Sequence, residues 1–225
     1  MKQWKDLSVT FSEFGQDGDA HILITNILKE KKPFFVDVGA YDGKLHSNTL
    51  ALENEGWDGI LFEPNPTLFA LINENKRKAK AFQYAISNKN SEKEKFFIYR
   101  GMHIVGALYE PRPEKECNII YVQTKTLCEA LEIAEAPQLI HFLSVDTERN
   151  EFNIMSKYFE ENEKLEKPYE IIFCSLETCP HCDRGRTSKK IFDLMSSHQY
   201  QFLTNNRNDD YYILKKYCPK EFKLP

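Results

Sequence analysis

Short apolar runs alternating with stretches of helical periodicity predict a chain that switches repeatedly between strand and helix. Residues 20–28 place Ile and Leu at helical spacing ahead of an apolar run at 34–38, the pattern of a helix packed on a sheet before its first buried strand. Ser47 and Gly56 bracket a second helix through Leu50, Leu52 and Glu55, Ser as N-terminal cap and Gly as stop. Residues 60–62 read as strand two. Asn65-Pro66 is a cap followed by proline at the first helical position, opening a third helix through Leu68, Phe69, Leu71 and Ile72. Residues 81–86 read as strand three, and β-α-β-α-β order builds a parallel sheet with right-handed crossovers.

The alternation lapses between residues 88 and 117, where a Lys/Glu turn at 89–95, a strand at 96–99 and a loop holding Gly101, Gly106, Pro111 and Pro113 are expected. A loop that long in a compact domain is usually functional or mobile. Regularity returns with a strand at 118–124, a helix at 126–131 and the very apolar run 139–145, which reads as a strand buried on both faces. A helix at 150–159, a strand at 170–176, a helix at 188–197 and a closing strand pair at 200–203 and 211–214 complete the reading.

At 225 residues the chain suits one α/β domain and is short for two. The expected organisation is a single domain over 1–225, with a helical leader at 1–30 and an irregular insertion at 88–117 near the active site. Net charge is -4 and 41% of residues are apolar, so composition asks for neither nucleic acid nor an acidic membrane as partner. No apolar stretch has signal-peptide length, which leads us to expect a cytoplasmic protein with reduced thiols at its six cysteines. The basic segment 76–80 falls where a helix should end and would complement the helix dipole, the alternative being a patch for a substrate phosphate or a nucleic acid.

The most informative stretch is Val36-Asp37-Val38-Gly39-Ala40-Tyr41-Asp42-Gly43, answered by Glu63 at the end of the next strand. A strand feeding a Gly turn, followed by a strand ending in a carboxylate that can take both ribose hydroxyls, is a nucleoside-cofactor pattern. A dinucleotide fold wants Gly where Tyr41 stands, and Asp37, Asp42 and Glu63 would repel a diphosphate. S-adenosylmethionine brings a sulfonium and an ammonium and no phosphate, so the charges favour it over NAD. The expected cofactor-binding residues are Asp37, Gly39, Ala40, Tyr41, Asp42 and Gly43 on the methionine side, Glu63 on the ribose, and Ala85, Ile86 and Ser87 at the adenine edge.

From Asp37 onward the chain resembles the FkbM family of methyltransferases. The resemblance is carried by residues 36–43, Ser47-Asn48-Thr49, residues 56–66, Ala85-Ile86-Ser87, Phe142-Leu143-Ser144-Val145-Asp146-Thr147-Glu148, Glu151 and the closing Asn208-Asp209-Asp210-Tyr211-Tyr212-Ile213. Ser12-Glu13-Phe14-Gly15-Gln16-Asp17 is similar to the leader element of that family. Ser47-Asn48-Thr49-Leu50 together with residues 75–79 is most similar to its Star-like branch. The resemblance implies a Rossmann-like class I methyltransferase fold, with a mostly parallel seven-stranded sheet, an antiparallel last strand and helices on both faces, and it adds Asn65 to the ribose side of the cofactor site. Where the family usually has Asp-x-Glu-Gly, this chain has Arg149 in place of the Gly, so the family's substrate does not carry over.

Asp146 and Glu148 stand past the most buried strand and are the candidate catalytic residues. A hydroxyl acceptor needs a base or a metal to become nucleophilic, and the two carboxylates could act as base and orienter, share a divalent cation, or merely cap the following helix. No metal is assigned, and His103 is the next candidate base. Cys179-Pro180-His181-Cys182 matches a redox spelling but lacks its context, leaving reduced thiols or half a zinc site. The expected activity is S-adenosylmethionine-dependent O-methylation of a small-molecule or glycan acceptor, the alternative being an inactive binding or scaffold protein of the same fold.

Overall fold

The computed structural model describes residues 7, 9–100, 104–108, 117–178 and 186–220. Helix α1 (Gln16–His21) runs on into a π-helical turn (Ile22–Ile27), so the single helix expected at 20–28 is two joined pieces. Strands β1 (Phe34–Val38), β2 (Asp58–Phe62) and β3 (Lys80–Phe82) follow, separated by α2 (Leu50–Asn54) and α3 (Pro66–Glu74). After them come β4 (Ala85–Ile86), β5 (Ser91–Arg100), β6 (Ile104–Ala107), β7 (Cys117–Lys125), α4 (Leu127–Ile133), β8 (Leu139–Val145) and α5 (Glu151–Asn162). β9 (Glu170–Glu177), α6 (Arg186–Ser197), β10 (Tyr200–Asn206) and β11 (Asp209–Leu214) close the chain.

Seven strands form one sheet in the order β10-β11-β9-β8-β1-β2-β3. All neighbouring pairs are parallel except those of β11, which is antiparallel to both β9 and β10. Alternation along the strands sends side chains to two separate cores, which is why β1 and β8 read as mostly apolar runs, broken only by Asp37 in β1 and by His141 and Ser144 in β8. Val36, Val38, Phe62, Leu143 and Val145 pack with Leu127, Met155, Tyr158 and Ile191 of α4, α5 and α6. Phe35, Leu61, Phe142 and Phe173 pack on the other face with Leu23, Leu52 and Ile72. The fold is therefore α/β, with helices on both faces of a mostly parallel seven-stranded sheet. No described helix is long and apolar enough to cross a membrane.

Two expectations need correction. The strand expected over 81–86 is divided: β3 stays at the edge of the large sheet, whereas β4 pairs with Thr124 and Lys125 of β7 in a second sheet of order β4-β7-β5-β6. Nor is the insertion at 88–117 irregular where it is described, because β5 pairs with both β6 and β7. Its Ser-Glu-Lys-Glu-Lys opening looks like a turn, but Glu92, Lys93 and Lys95 lie on solvent-exposed positions of a strand whose apolar end, Phe96 and Phe97, is buried. A half-solvated antiparallel strand tolerates such charge. Phe96 joins Ala85 and Val122 in a small core of this sheet, next to the carboxyl ends of the large one.

Candidate functional site

The carboxyl ends of β1, β2 and β8 meet at one point. Gly39 N and Ala40 N both donate to Phe62 O, at 3.0 and 3.1 Å, and Asp146 N donates to Val38 O at 2.9 Å. Gly39 has φ +89, and a Cβ built on it would lie 1.8 Å from the backbone oxygen of Asp146. That position therefore belongs to glycine because two strand exits touch there, a constraint of the fold itself.

Beyond Gly39 the chain turns through Tyr41, at φ +54, and this aims the Tyr41 amide at Glu63. Glu63 Oε2 accepts from Tyr41 N at 3.0 Å and Oε1 from Asn65 N at 2.8 Å. Burial outweighs these two amides and pushes the Glu63 carboxyl up to about 8. Asn65 holds its own helix, its side chain accepting from Thr67 N at 3.0 Å. Asp37 is likewise buried, with Oδ2 accepting from Thr49 Oγ1 at 2.6 Å, and burial raises its carboxyl against the opposing pull of Thr49 and Arg77.

These groups border a cavity of about 220 Å³. Of the residues singled out from sequence, Asp37, Gly39, Ala40, Tyr41, Glu63, Asn65, Ala85, Ile86, Asp146 and Glu148 line it. Three others do not, each for a visible reason. Asp42 Oδ1 accepts from Lys44 N at 2.8 Å and Leu45 N at 2.7 Å, so its carboxylate closes a turn. Gly43, at φ +74, lies against α3, where a Cβ would stand 3.1 Å from Arg77 Cγ. Ser87 is bonded into the junction between the two sheets, its N donating to Lys125 O at 2.8 Å.

At the carboxyl end of β8, Asp146 and Glu148 line the cavity and, together with Glu177 of β9, offer carboxylate oxygens within 4.8 Å of one another, a grouping compatible with the oxygen shell of a divalent cation. Asp146 opens onto the cavity, yet the walls around it and the like charges of Glu148 and Asp209 raise its carboxyl well above the ordinary range. Glu177 is raised too, by burial and by Asp146, with which it shares a hydrogen bond. The loop between them is strained: Glu148 has φ +56 and Arg149 φ +91, where a glycine would rest without cost. It is held by Glu151, whose Oε1 accepts from Thr147 N and Thr147 Oγ1, both at 2.8 Å, and from Arg149 N at 3.3 Å. Asn150 occupies the cap of α5 but sends its amide to Ile86 O at 3.1 Å, tying this loop to the second sheet. Tyr99 of β5 is raised to about 12 by burial and by Glu148, which places the end of that sheet within electrostatic reach of the cluster.

A βαβ sheet of this order, with acidic strand ends around one cavity, is matched at the sequence level: the chain fits the methyltransferase FkbM domain over residues 37–202. It belongs to the FkbM methyltransferase family. A search of curated proteins finds no significant match. Among solved structures the FkbM chain is similar to the "METTL16 MTase domain", at 12% identity and a TM-score of 0.48, over 86% of this chain and 63% of that one. It is also similar to "Human methyltransferase 10 domain containing protein", at 12% identity and a TM-score of 0.44 over 83% and 72% of the two chains. A third is the precorrin-6y C5,15-methyltransferase of Geobacter metallireducens GS-15, at 12% and 0.43 over 86% and 85%.

Sequence reading of the FkbM chain missed several residues of the cavity wall. Glu13 comes from the leader, which is anchored by Asp17 Oδ2 accepting from Phe11 N at 2.7 Å and by Gln16 Nε2 donating to Asp209 Oδ2 at 2.6 Å. Phe96, Gly106 and Leu108 come from the second sheet, whose packing over the site no local pattern announces. His46, Asn48 and Asn150 also line the wall, and of these Asn48 lay in a quoted family segment without a role. Asn48 Nδ2 donates to Ser144 Oγ at 2.9 Å, bridging α2's approach to β8. The basic segment 76–80 follows the end of α3, with Lys76, Lys78 and Lys80 exposed, but the Arg77 side chain is buried and pairs with Glu53 at 3.1 Å. His103, Cys179, His181 and Cys182 lie outside the described residues.

Proposed function

We propose that this FkbM domain transfers a methyl group from S-adenosylmethionine to a hydroxyl oxygen of a small-molecule or glycan acceptor, in a single domain whose second sheet flanks the acceptor. The observation that carries this reading is the pairing of two buried carboxylates, Asp37 and Glu63, at adjacent strand ends of one cavity. The residues suit the cofactor. Glu63 lacks enough polar partners to stay ionised easily, and a vicinal diol would supply the missing donors. Asp37 faces the same space, where a cationic methionine portion is favoured over phosphate. Among the described residues the lining holds Glu13, Asp37, Glu63, Asp146 and Glu148 but neither Lys nor Arg, which also disfavours a phosphate-rich acceptor such as a nucleic acid.

Bound S-adenosylmethionine supplies an electrophilic methyl on a sulfonium. Of the lining residues, Ala85 and Ile86 would wall the adenine edge, the Gly39–Tyr41 turn would hold the methionine portion, and Asn65 would border the ribose. Asp146 and Glu148 line the same cavity, where an acceptor hydroxyl would have to lose its proton. A carboxylate raised toward neutrality is a better general base than an ordinary one, and Asp146 is raised. The test is calorimetry with S-adenosylhomocysteine followed by transfer of labelled methyl to a panel of hydroxylated acceptors. Tight binding of NAD, or no binding of S-adenosylhomocysteine, sinks the cofactor assignment. Binding without transfer to any acceptor favours a non-catalytic role.

A further inference from the structure

Arg77 is the charged group that the mechanism leaves unused, and its surroundings are unusually complete. Its side chain is 1% exposed. Nε pairs with Glu53 Oε2 at 3.1 Å, Nη1 donates to Gly43 O at 2.7 Å and Ser47 Oγ at 3.3 Å, and Nη2 donates to Thr49 Oγ1 at 3.0 Å. Thr49, itself fully buried, donates in turn to Asp37 Oδ2 at 2.6 Å. The direction of this relay is forced. A guanidinium can only donate, so the Thr49 hydroxyl must accept from it and has a single proton left to give, which goes to Asp37.

We propose that Arg77 and Thr49 are positioning residues that lock one oxygen of Asp37 and thereby aim the other into the cavity. Arg77 grips the same turn twice more, through Gly43 O and Ser47 Oγ, so the loop and the carboxylate are set together. Glu53 fixes Arg77 in its place and also accepts from Lys78 N and Ala79 N, both at 2.9 Å. The tail of α3 thus reaches back across α2 to the first strand end. This inference rests on the proposed reading that Asp37 meets the methionine portion of the cofactor.

The experiment compares two probes by calorimetry: S-adenosylhomocysteine, which has both adenosine and amino-acid portions, and 5′-methylthioadenosine, which lacks the amino acid. Thr49→Val keeps the shape and removes the relay. It should weaken S-adenosylhomocysteine by about tenfold or more, the worth of a hydrogen bond to a charged group, while methylthioadenosine binds as to wild type. Thr49→Ser, which keeps the hydroxyl, should restore the difference. Arg77→Lys keeps the charge but loses the fork, and should show the same split; it carries the test should Thr49→Val fail to fold. Equal losses for both probes mean that the relay only holds the loop together, and no loss for either means that it does not act on the site; each overturns the proposal. Wild-type protein that binds neither probe sinks the cofactor reading itself, a result distinct from both.

Discussion

The two walls of the cavity solve opposite problems. On the β1–β2 wall, Asp37 and Glu63 are buried singly, and each carboxylate is oriented by donors from its own neighbourhood: Thr49 for one, the Tyr41 and Asn65 amides for the other. On the β8 wall, Asp146 and Glu148 crowd together with Glu177 of the neighbouring strand, with Asp209 near enough to add its charge, and the backbone just after Asp146 turns through two left-handed residues, Glu148 and Arg149. One wall is preorganised by hydrogen bonds. The other stores like-charge repulsion and backbone strain, features that accumulate where chemistry is done. The contrast suggests that the first wall recognises a fixed ligand and the second responds to what is brought to it.

The sharpest way to break the contrast is to sever the contact that joins the walls. Gly39→Val would put a Cβ on the Asp146 carbonyl and a β-branched residue in a left-handed conformation. We expect a loss of about 3 kcal/mol or more, measured by denaturant unfolding. A fully stable Gly39→Val protein would show that β1 and β8 can separate without cost.

Next in size are the neutral isosteres of the crowded wall. Asp146→Asn and Glu148→Gln should each slow methyl transfer by about 10²-fold while S-adenosylhomocysteine affinity stays within about threefold. Initial rates on an acceptor found by the panel, beside calorimetry, decide the matter. Active isosteres would move the base elsewhere, His103 being the next residue to replace, and activity lost to a chelator but restored by magnesium would make the cluster a metal site.

The ordered wall should answer in affinity. Glu63→Ala should cost about 1–3 kcal/mol of S-adenosylhomocysteine binding. Its raised carboxyl also sets a pH dependence. The folded protein keeps the Glu63 proton up to about 8, whereas the unfolded chain releases it near 4.5, so this group's contribution to stability falls as pH rises between those values. Binding of a diol to the ionised form runs the other way and should tighten as pH rises toward about 8. Calorimetry across that range that shows flat affinity, in a protein where Glu63→Ala is harmful, would mean that the carboxylate is already ionised in the empty site.

The smallest effect belongs to Arg149. Because it sits at φ +91, Arg149→Gly should relieve strain and stabilise the fold by up to about 1 kcal/mol, read from the unfolding midpoint. A destabilised glycine variant would show that the arginine side chain does more for this loop than its backbone costs.

Much of the β1–β2 wall was legible in the sequence because it is local: strand, Gly turn, capped helix and acidic strand end follow one another between residues 34 and 66, and each is selected by short-range constraints on backbone and burial. Asn65 before Pro66 marked the start of α3 for the same reason. The crowded wall was legible only in Asp146 and Glu148. Glu177, Asp209 and Tyr99 come from three further strands, and their approach to Asp146 depends on sheet order, which no local spacing encodes. Arg77 looked like a solvated helix end because its partners, Glu53 and Thr49, lie a whole β-α unit earlier. The sequence by itself determined which segments become strands and helices and where single carboxylates end them; tertiary structure decided which of those carboxylates share a dielectric, because burial and repulsion act over distances in space and not along the chain.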